Sequence, residues 1–248
     1  MPPSPSPAER VLVALDVPGL DEADALLGRV AGVLSGCKIG SQLFTAAGPA
    51  AIELARKRGF RVFLDLKFHD IPNTVGAAVR EATRMGVFML NIHASGGLAM
   101  ARAAAEAATK AAGDFAIARP LCVGVTVLTS LDRRALQNEV GVPTSVEGHV
   151  LHLATVAREA GLDGCVASPQ EISALRLAMG ARWVIVTPGI RWEAGGTAAR
   201  RGDDQVRIAT PRRAIAAGAD YLVVGRPISG AKDPAAAAAA IVAELGTA

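Results

Sequence analysis

Phe63-Leu64-Asp65-Leu66-Lys67-Phe68-His69-Asp70-Ile71-Pro72-Asn73-Thr74 reads as the end of a buried strand that leaves the sheet through a short charged loop. Val62, Phe63, Leu64 and Leu66 are apolar, so the strand belongs inside the molecule. Side chains alternate along a strand, which puts Asp65 and Lys67 on one face and Leu64 and Leu66 on the other. Charged side chains are rarely buried unless paired, and burying them is costly. The pair is either a structural ion pair or the edge of a functional site, and the rest of the chain decides between the two.

Working outward, similar apolar runs recur at 11–17, 36–40, 87–93, 121–128, 164–168, 183–190 and 221–227, with the quoted strand at 61–67. Most are nearly continuous in hydrophobicity, as parallel strands covered on both faces are. Helical patterns fill the gaps at 21–34, 48–58, 73–85, 97–112 and 146–160. Gly59, Gly86, Gly113, Gly161, Gly180 and Gly218 stand where helices are expected to stop. Alternating strands and helices predict an α/β protein, and eight such units predict a single-domain (β/α)8 TIM barrel. The 248 residues suit that fold, which typically takes ~250. The expected organisation is a disordered N-terminal tail over 1–9 and a catalytic barrel over 10–248. An open doubly wound sheet is the alternative, but no G-x-G-x-x-G follows the first strand. The alanine-rich stretch at 235–240, continued by Ile241, Val242 and Leu245, reads as the last packing helix. Residues 189–210 form a long connection without apolar periodicity, of the kind that serves as a lid or binding loop.

Composition narrows the function. A net charge of +3, one Tyr and six Phe supply neither the basic surface nor the stacking platforms of a nucleic-acid binder. Cys37, Cys122 and Cys165 are odd in number, lie in apolar runs and form no C-x-x-C pair, so they read as small buried hydrophobes in a reducing compartment. The Pro- and Ser-rich start lacks the apolar core of a signal peptide. No stretch is apolar over the ~20 residues a membrane span needs. The expectation is a cytoplasmic protein with no membrane and no nucleic-acid partner.

In such a barrel the active site lies at the C-terminal ends of the strands. The polar residues expected there are Asp16, Lys38, Asp65, Lys67, Asp70, Asn91, His93, Thr126 and Thr129. Thr187-Pro188-Gly189-Ile190-Arg191 and Val224-Gly225-Arg226-Pro227 complete the ring. Two lysines and three aspartates would then converge on one mouth.

This pattern resembles the orotidine 5′-phosphate decarboxylase family. The carriers are Asp65-Leu66-Lys67-Phe68-His69-Asp70, a D-x-K-x-x-D signature, with Ala14-Leu15-Asp16, Lys38-Ile39-Gly40, Asn91-Ile92-His93-Ala94 and Val125-Thr126-Val127-Leu128-Thr129-Ser130. Thr187 to Arg191, Asp204-Gln205 and Val224 to Pro227 continue the match in order. The segment 192–201 departs from the pattern in looking longer than usual.

The resemblance implies decarboxylation of orotidine 5′-monophosphate to UMP and CO2, in de novo pyrimidine biosynthesis, with no cofactor and no metal. It implies that Lys67, between Asp65 and Asp70, stabilises and then protonates the carbanion at C6 of the pyrimidine. Nearby carboxylates favour a charged amine, and an ammonium aimed at developing negative charge lowers the barrier. Asp65 would lie beside the substrate carboxylate. Lys38 would hold the Asp65 end of the charge chain and reach the ribose, and Asp16 would accept ribose hydroxyls. Thr129 would contact the pyrimidine; Arg191, Gln205, Gly225 and Arg226 would hold the phosphate. Asp70 and Thr74 would reach into a neighbouring subunit, making the functional unit a homodimer with composite active sites.

Several residues keep two readings. His93 is a direct contact or a hydrogen-bonding support, and Trp192 is a lid contact or loop packing. Thr126 packs in its strand or faces the site. His149 and His152 read as ordinary helix residues, because no third metal ligand accompanies them. Two other functions compete. A metal-dependent sugar-phosphate decarboxylase or aldolase shares the D-x-K-x-x-D pattern but wants an acid on the second strand, where Lys38 stands. A silent phosphate-binding barrel has no need of buried charge pairs.

Overall fold

A computed structural model describes residues 5–192 and 209–246. Eight parallel strands close into a barrel in sequence order: β1 (Val11–Ala14), β2 (Gly36–Gly40), β3 (Arg61–Phe68), β4 (Met89–His93), β5 (Leu121–Val125), β6 (Gly164–Val166), β7 (Val184–Thr187) and β8 (Tyr221–Val224). β8 returns to pair with β1, so no sheet edge is left open. The closed barrel is the fold read from the sequence; the open sheet is not.

Alternation along the strands sorts the core into two apolar populations. Leu12, Phe63, Met89, Val123, Val186 and Tyr221 point inward and fill the barrel. Val13, Leu64, Leu90, Ile92, Cys122 and Ile185 point outward and are buried beneath the helices. Burying a side chain of this size contributes ~1.5–3 kcal/mol, so the two layers together dictate closure. The helix Gly97–Asp114 presents Ala101, Ala104, Ala105 and Ala108 to the core, and these short side chains let it lie close to the sheet.

Strands end earlier than hydrophobicity alone predicts. β1, β5, β7 and β8 stop short of the expected 17, 128, 190 and 227. Leu15 and Val127, beyond two of those ends, are still buried, so burial outlasts strand pairing there. Further helices form at Ser41–Ala47, Arg133–Asn138, Ile172–Met179 and Pro211–Ala216. Gly113 was expected to stop its helix, yet the helix runs to Asp114 and Ala116 takes the left-handed conformation instead, with φ of 50°. Of the segment 1–9 read as a disordered tail, residues 1–4 lie outside the described residues, and Pro7–Glu9 belong to a short helix that runs to Arg10. Glu9 holds its start, accepting from the Ser6 N–H and hydroxyl at 2.8 Å each. No helix among the described residues is long and apolar enough to cross a membrane.

Candidate active site

The C-terminal mouth of the barrel holds a cavity of about 250 Å³. β1 to β3 and the residues just beyond supply Asp16, Lys38, Asp65 and Lys67 to its wall; the segments after β7 and β8 supply Gly189, Arg191, Gly225 and Arg226. Between these charged sectors lie Phe63, Val125, Val127 and Val166, with Thr129. The charged array of β1 to β3 and the basic segments after β7 and β8 adjoin where β8 pairs with β1, and apolar side chains of β5 and β6 line the arc between β3 and β7. A small anion with a flat apolar body fits that division.

The charges form a continuous chain. Lys38 Nζ lies 2.8 Å from Asp16 Oδ1 and 3.4 Å from Asp65 Oδ2. Lys67 Nζ lies 2.7 Å from Asp65 Oδ1. Side-chain exposure is 8% for Lys38, 13% for Asp65, 34% for Lys67 and 55% for Asp16, so the inner pair depends on its partners rather than on water. Burial alone would push the Lys38 amine down; the combined pull of Asp65 and Asp16 outweighs it and holds the pKa above the usual lysine value. Gly40 makes room for this chain. A Cβ there would stand 2.7 Å from Lys38 Nζ and 3.2 Å from Asp16 Oδ1, so any side chain would push into the Lys38–Asp16 contact.

Lys67 sits on distorted backbone. From the Leu64–Leu90 pair to the Phe68–Ile92 pair, β3 takes four steps while β4 takes two. Lys67 absorbs part of this slip with φ of 52°, a left-handed conformation uncommon for a lysine. Such conformations cost ~1–3 kcal/mol and persist where the surroundings enforce them. Asn91 on β4 spans the gap: its Oδ1 accepts the Lys67 N–H at 2.8 Å, and its Nδ2 donates to Asp65 Oδ1 at 2.7 Å. Simple alternation does put Asp65 and Lys67 on the cavity side, as expected, but it misses the slip that aims Lys67 there.

Other expected residues fall into three groups. Thr129, Arg191, Gly225 and Arg226 line the cavity, as anticipated. Asp70 and Thr74 do not: both are exposed, beside an Ile71 that is 66% exposed. Asp70 lies past the strand end, where its carboxylate accepts the Ile71 N–H at 2.6 Å next to the helix Pro72–Arg84. Among the described residues Lys67 is thus ion-paired with Asp65 alone, and the three-aspartate convergence reduces to Asp16 and Asp65. Gln205 lies outside the described residues.

Thr126 is buried, and its hydroxyl donates to the Val166 carbonyl at 2.8 Å. His93 is absent from the cavity wall and pairs with His69, ring centroids 5.3 Å apart. Burial first, then His69 and Lys67, pull its pKa below the usual histidine value against the opposing effect of Asp65. Trp192 packs against the outer core. Asn91 and Gly40 stand in quoted motifs, but their roles escape sequence reading. One acts through a tertiary contact and the other through the side chain it lacks. Among the described residues no three His, Cys, Asp or Glu side chains gather as a metal-binding group.

The family model for the orotidine 5′-phosphate decarboxylase / HUMPS family matches residues 9–241. A protein of Moorella thermoacetica named orotidine 5′-phosphate decarboxylase is 54% identical over 237 residues, covering 96% of this chain and 92% of the relative. Another of that name, from Halorhodospira halophila, is 52% identical over 239 residues, covering 96% and 97%. The crystal structure of orotidine 5′-phosphate decarboxylase from Lactobacillus acidophilus superimposes with a TM-score of 0.83 at 34% identity, covering 96% of this chain and 99% of that one.

Proposed function

The chain belongs to the orotidine 5′-phosphate decarboxylase / HUMPS family, and on that premise we propose that it removes CO2 from orotidine 5′-monophosphate to give UMP, Lys67 stabilising and then protonating the carbanion left at C6. It is an enzyme, and its kinship is with the decarboxylases of pyrimidine biosynthesis. The observation that carries the mechanism is the position of Lys38. Asp16 and Asp65 could together hold a cation, and the Lys38 ammonium already bridges them at 2.8 and 3.4 Å. A lysine in that place supports metal-free decarboxylation over the metal-dependent sugar-phosphate chemistry.

The substrate's phosphate binds at Arg191, Gly225 and Arg226, with Gln205 as a further contact. Arginine suits phosphate geometry, and barrels recurrently bind phosphate after their last two strands. Thr129 contacts the pyrimidine beside the apolar side chains of β5 and β6, and the ribose hydroxyls reach Asp16 and Lys38. With the substrate held in this way, its C6 carboxylate would lie near Asp65 and Lys67. Breaking the C6–carboxylate bond releases CO2 and leaves the electron pair at C6. The Lys67 ammonium stabilises that pair and transfers a proton to it, giving UMP and a neutral amine that regains its proton from water. Asp65 serves by holding Lys67 and by disfavouring the substrate's negative carboxylate relative to the transition state. Holding the phosphate at the segments after β7 and β8 lets remote binding energy press the carboxylate toward these charges.

The exposed Asp70 and Thr74 complete the site of a second copy of the chain, giving a homodimer with composite sites. Their exposure beside the exposed, apolar Ile71 supports that role. A cytoplasmic enzyme is the matching location, in keeping with three free, buried cysteines. The test is the ultraviolet absorbance of orotidine 5′-monophosphate mixed with EDTA-treated protein. Loss of the substrate spectrum with formation of UMP is the expected result. Silence with EDTA, and activity on a sugar phosphate restored by Mg2+, would favour the other chemistry.

A further inference from the structure

Asn91 is fully buried, and its two hydrogen bonds go to two different members of the charge chain. We propose that Asn91 is a positioning residue for decarboxylation, its amide locking the Lys67 backbone and the Asp65 carboxylate into one unit. This inference rests on the function proposed above.

The argument begins with the slip between β3 and β4. Where the ladder is interrupted, the Lys67 N–H has no regular strand carbonyl opposite it, and a buried N–H left unpaired is costly. Asn91 Oδ1 takes that proton at 2.8 Å and so holds the left-handed turn of the backbone. From the other end of the same amide, Nδ2 donates to Asp65 Oδ1, the very oxygen that also receives Lys67 Nζ. One planar group therefore sets the start of the Lys67 side chain and the anchor of its tip. The two partners are of opposite kind, a donor and a carboxylate acceptor. Among side chains of this size only an amide offers both an acceptor and a donor in fixed geometry. Aspartate offers the acceptor alone and leucine offers neither. Nothing else explains a fully buried polar side chain in the inward layer of β4, directly above the apolar Met89.

Two variants and two kinds of readout test it. Asn91→Ala removes both hydrogen bonds. Asn91→Asp keeps the volume and the acceptor for Lys67 but sets a second carboxyl against Asp65, and it keeps the test open should the alanine variant not fold. Misplacement of a reacting group by about 1 Å can cost ~10²-fold in rate, and a loss in kcat of that order is expected in each folded variant. UMP affinity should change little, because the phosphate is held by the segments after β7 and β8. Unchanged kcat in a folded variant, or a fall in UMP affinity equal to the fall in kcat, would overturn the proposal.

A crystal structure of the folded variant reads the positioning without any turnover. Lys67 Nζ should leave hydrogen-bond reach of Asp65, and an undisturbed Lys67–Asp65 pair would also refute the role. Wild-type protein that does not decarboxylate the nucleotide would instead refute the proposed function, while that crystal structure would still decide the positioning.

Discussion

β3 enters the floor of the barrel with Arg61 and leaves through the mouth with Asp65 and Lys67, and the two ends handle charge differently. At the floor, the Arg61 guanidinium lies 4.4 Å over the Phe88 ring, and Phe88 meets Tyr221 edge-on at 5.6 Å. Arg61 also donates to the Glu9 carbonyl at 3.3 Å, and its side chain stays 34% exposed. It covers apolar surface with its stem and face and keeps contact with water. At the mouth, Lys38 and Asp65 have little water and are held by each other and their neighbours. Removing one member there leaves an uncompensated charge, which is far more damaging than loss of an exposed pair. The floor uses charge to finish packing; the mouth gathers mutually dependent charges at the wall of a cavity, which is the pattern of a reactive site.

Substitutions at the two ends should therefore separate activity from stability. The largest effect is expected for Lys67→Ala, which should lower kcat by ~10⁴-fold or more, since it removes both electrostatic stabilisation and the proton donor. UMP binding, measured by calorimetry, should survive. Turnover near wild type would remove Lys67 from the mechanism and erase the contrast. Next comes Met89→Ala in the barrel interior, which should destabilise by ~2–5 kcal/mol in denaturant unfolding. The folded fraction should keep its kcat, and a selective loss of kcat would mean that floor and mouth are coupled. Arg61→Met should cost only ~1 kcal/mol, the scale of a partly exposed cation–π contact, with turnover unaltered.

The smallest effect concerns pH and sharpens the account of the mouth. The folded pKa of Lys38 is raised above the ordinary 10.5, so folding favours its protonated form. Its contribution is complete below pH 10.5 and is lost as pH rises through the folded value. Unfolding free energies of wild type and Lys38→Met, compared across alkaline pH, should differ by a constant below that point and converge above it. A difference that instead grew with pH would reverse the sign assigned to this lysine.

Much of this was legible in the chain. The β2 bounds coincide with the expected 36–40, and β3 differs by one residue, because each is an apolar run ended by polar residues or a glycine. Thr129, Arg191, Gly225 and Arg226 could be placed because strand ends and their loops meet at one rim in this fold. Asp70 was harder. Its distance from Lys67 along the chain is short, but the turn into Pro72–Arg84 carries it outward. Thr126 is compatible with two roles in the sequence because the partner of its hydroxyl, the Val166 carbonyl, is distant along the chain.

What the sequence determined by itself is the closed barrel, its C-terminal mouth as the candidate site, and the gathering there of Asp16, Lys38, Asp65 and Lys67. Those follow from short continuous apolar runs, glycine-ended helices and charged residues at strand ends, all of them local properties. Only the tertiary structure decided that Lys67 takes a left-handed backbone, that Asn91 joins it to Asp65, and that Gly40 leaves space for Lys38. Each of these depends on the register between neighbouring strands or on the approach of side chains across it. Register is a property of the pair, and neither strand's sequence states it alone.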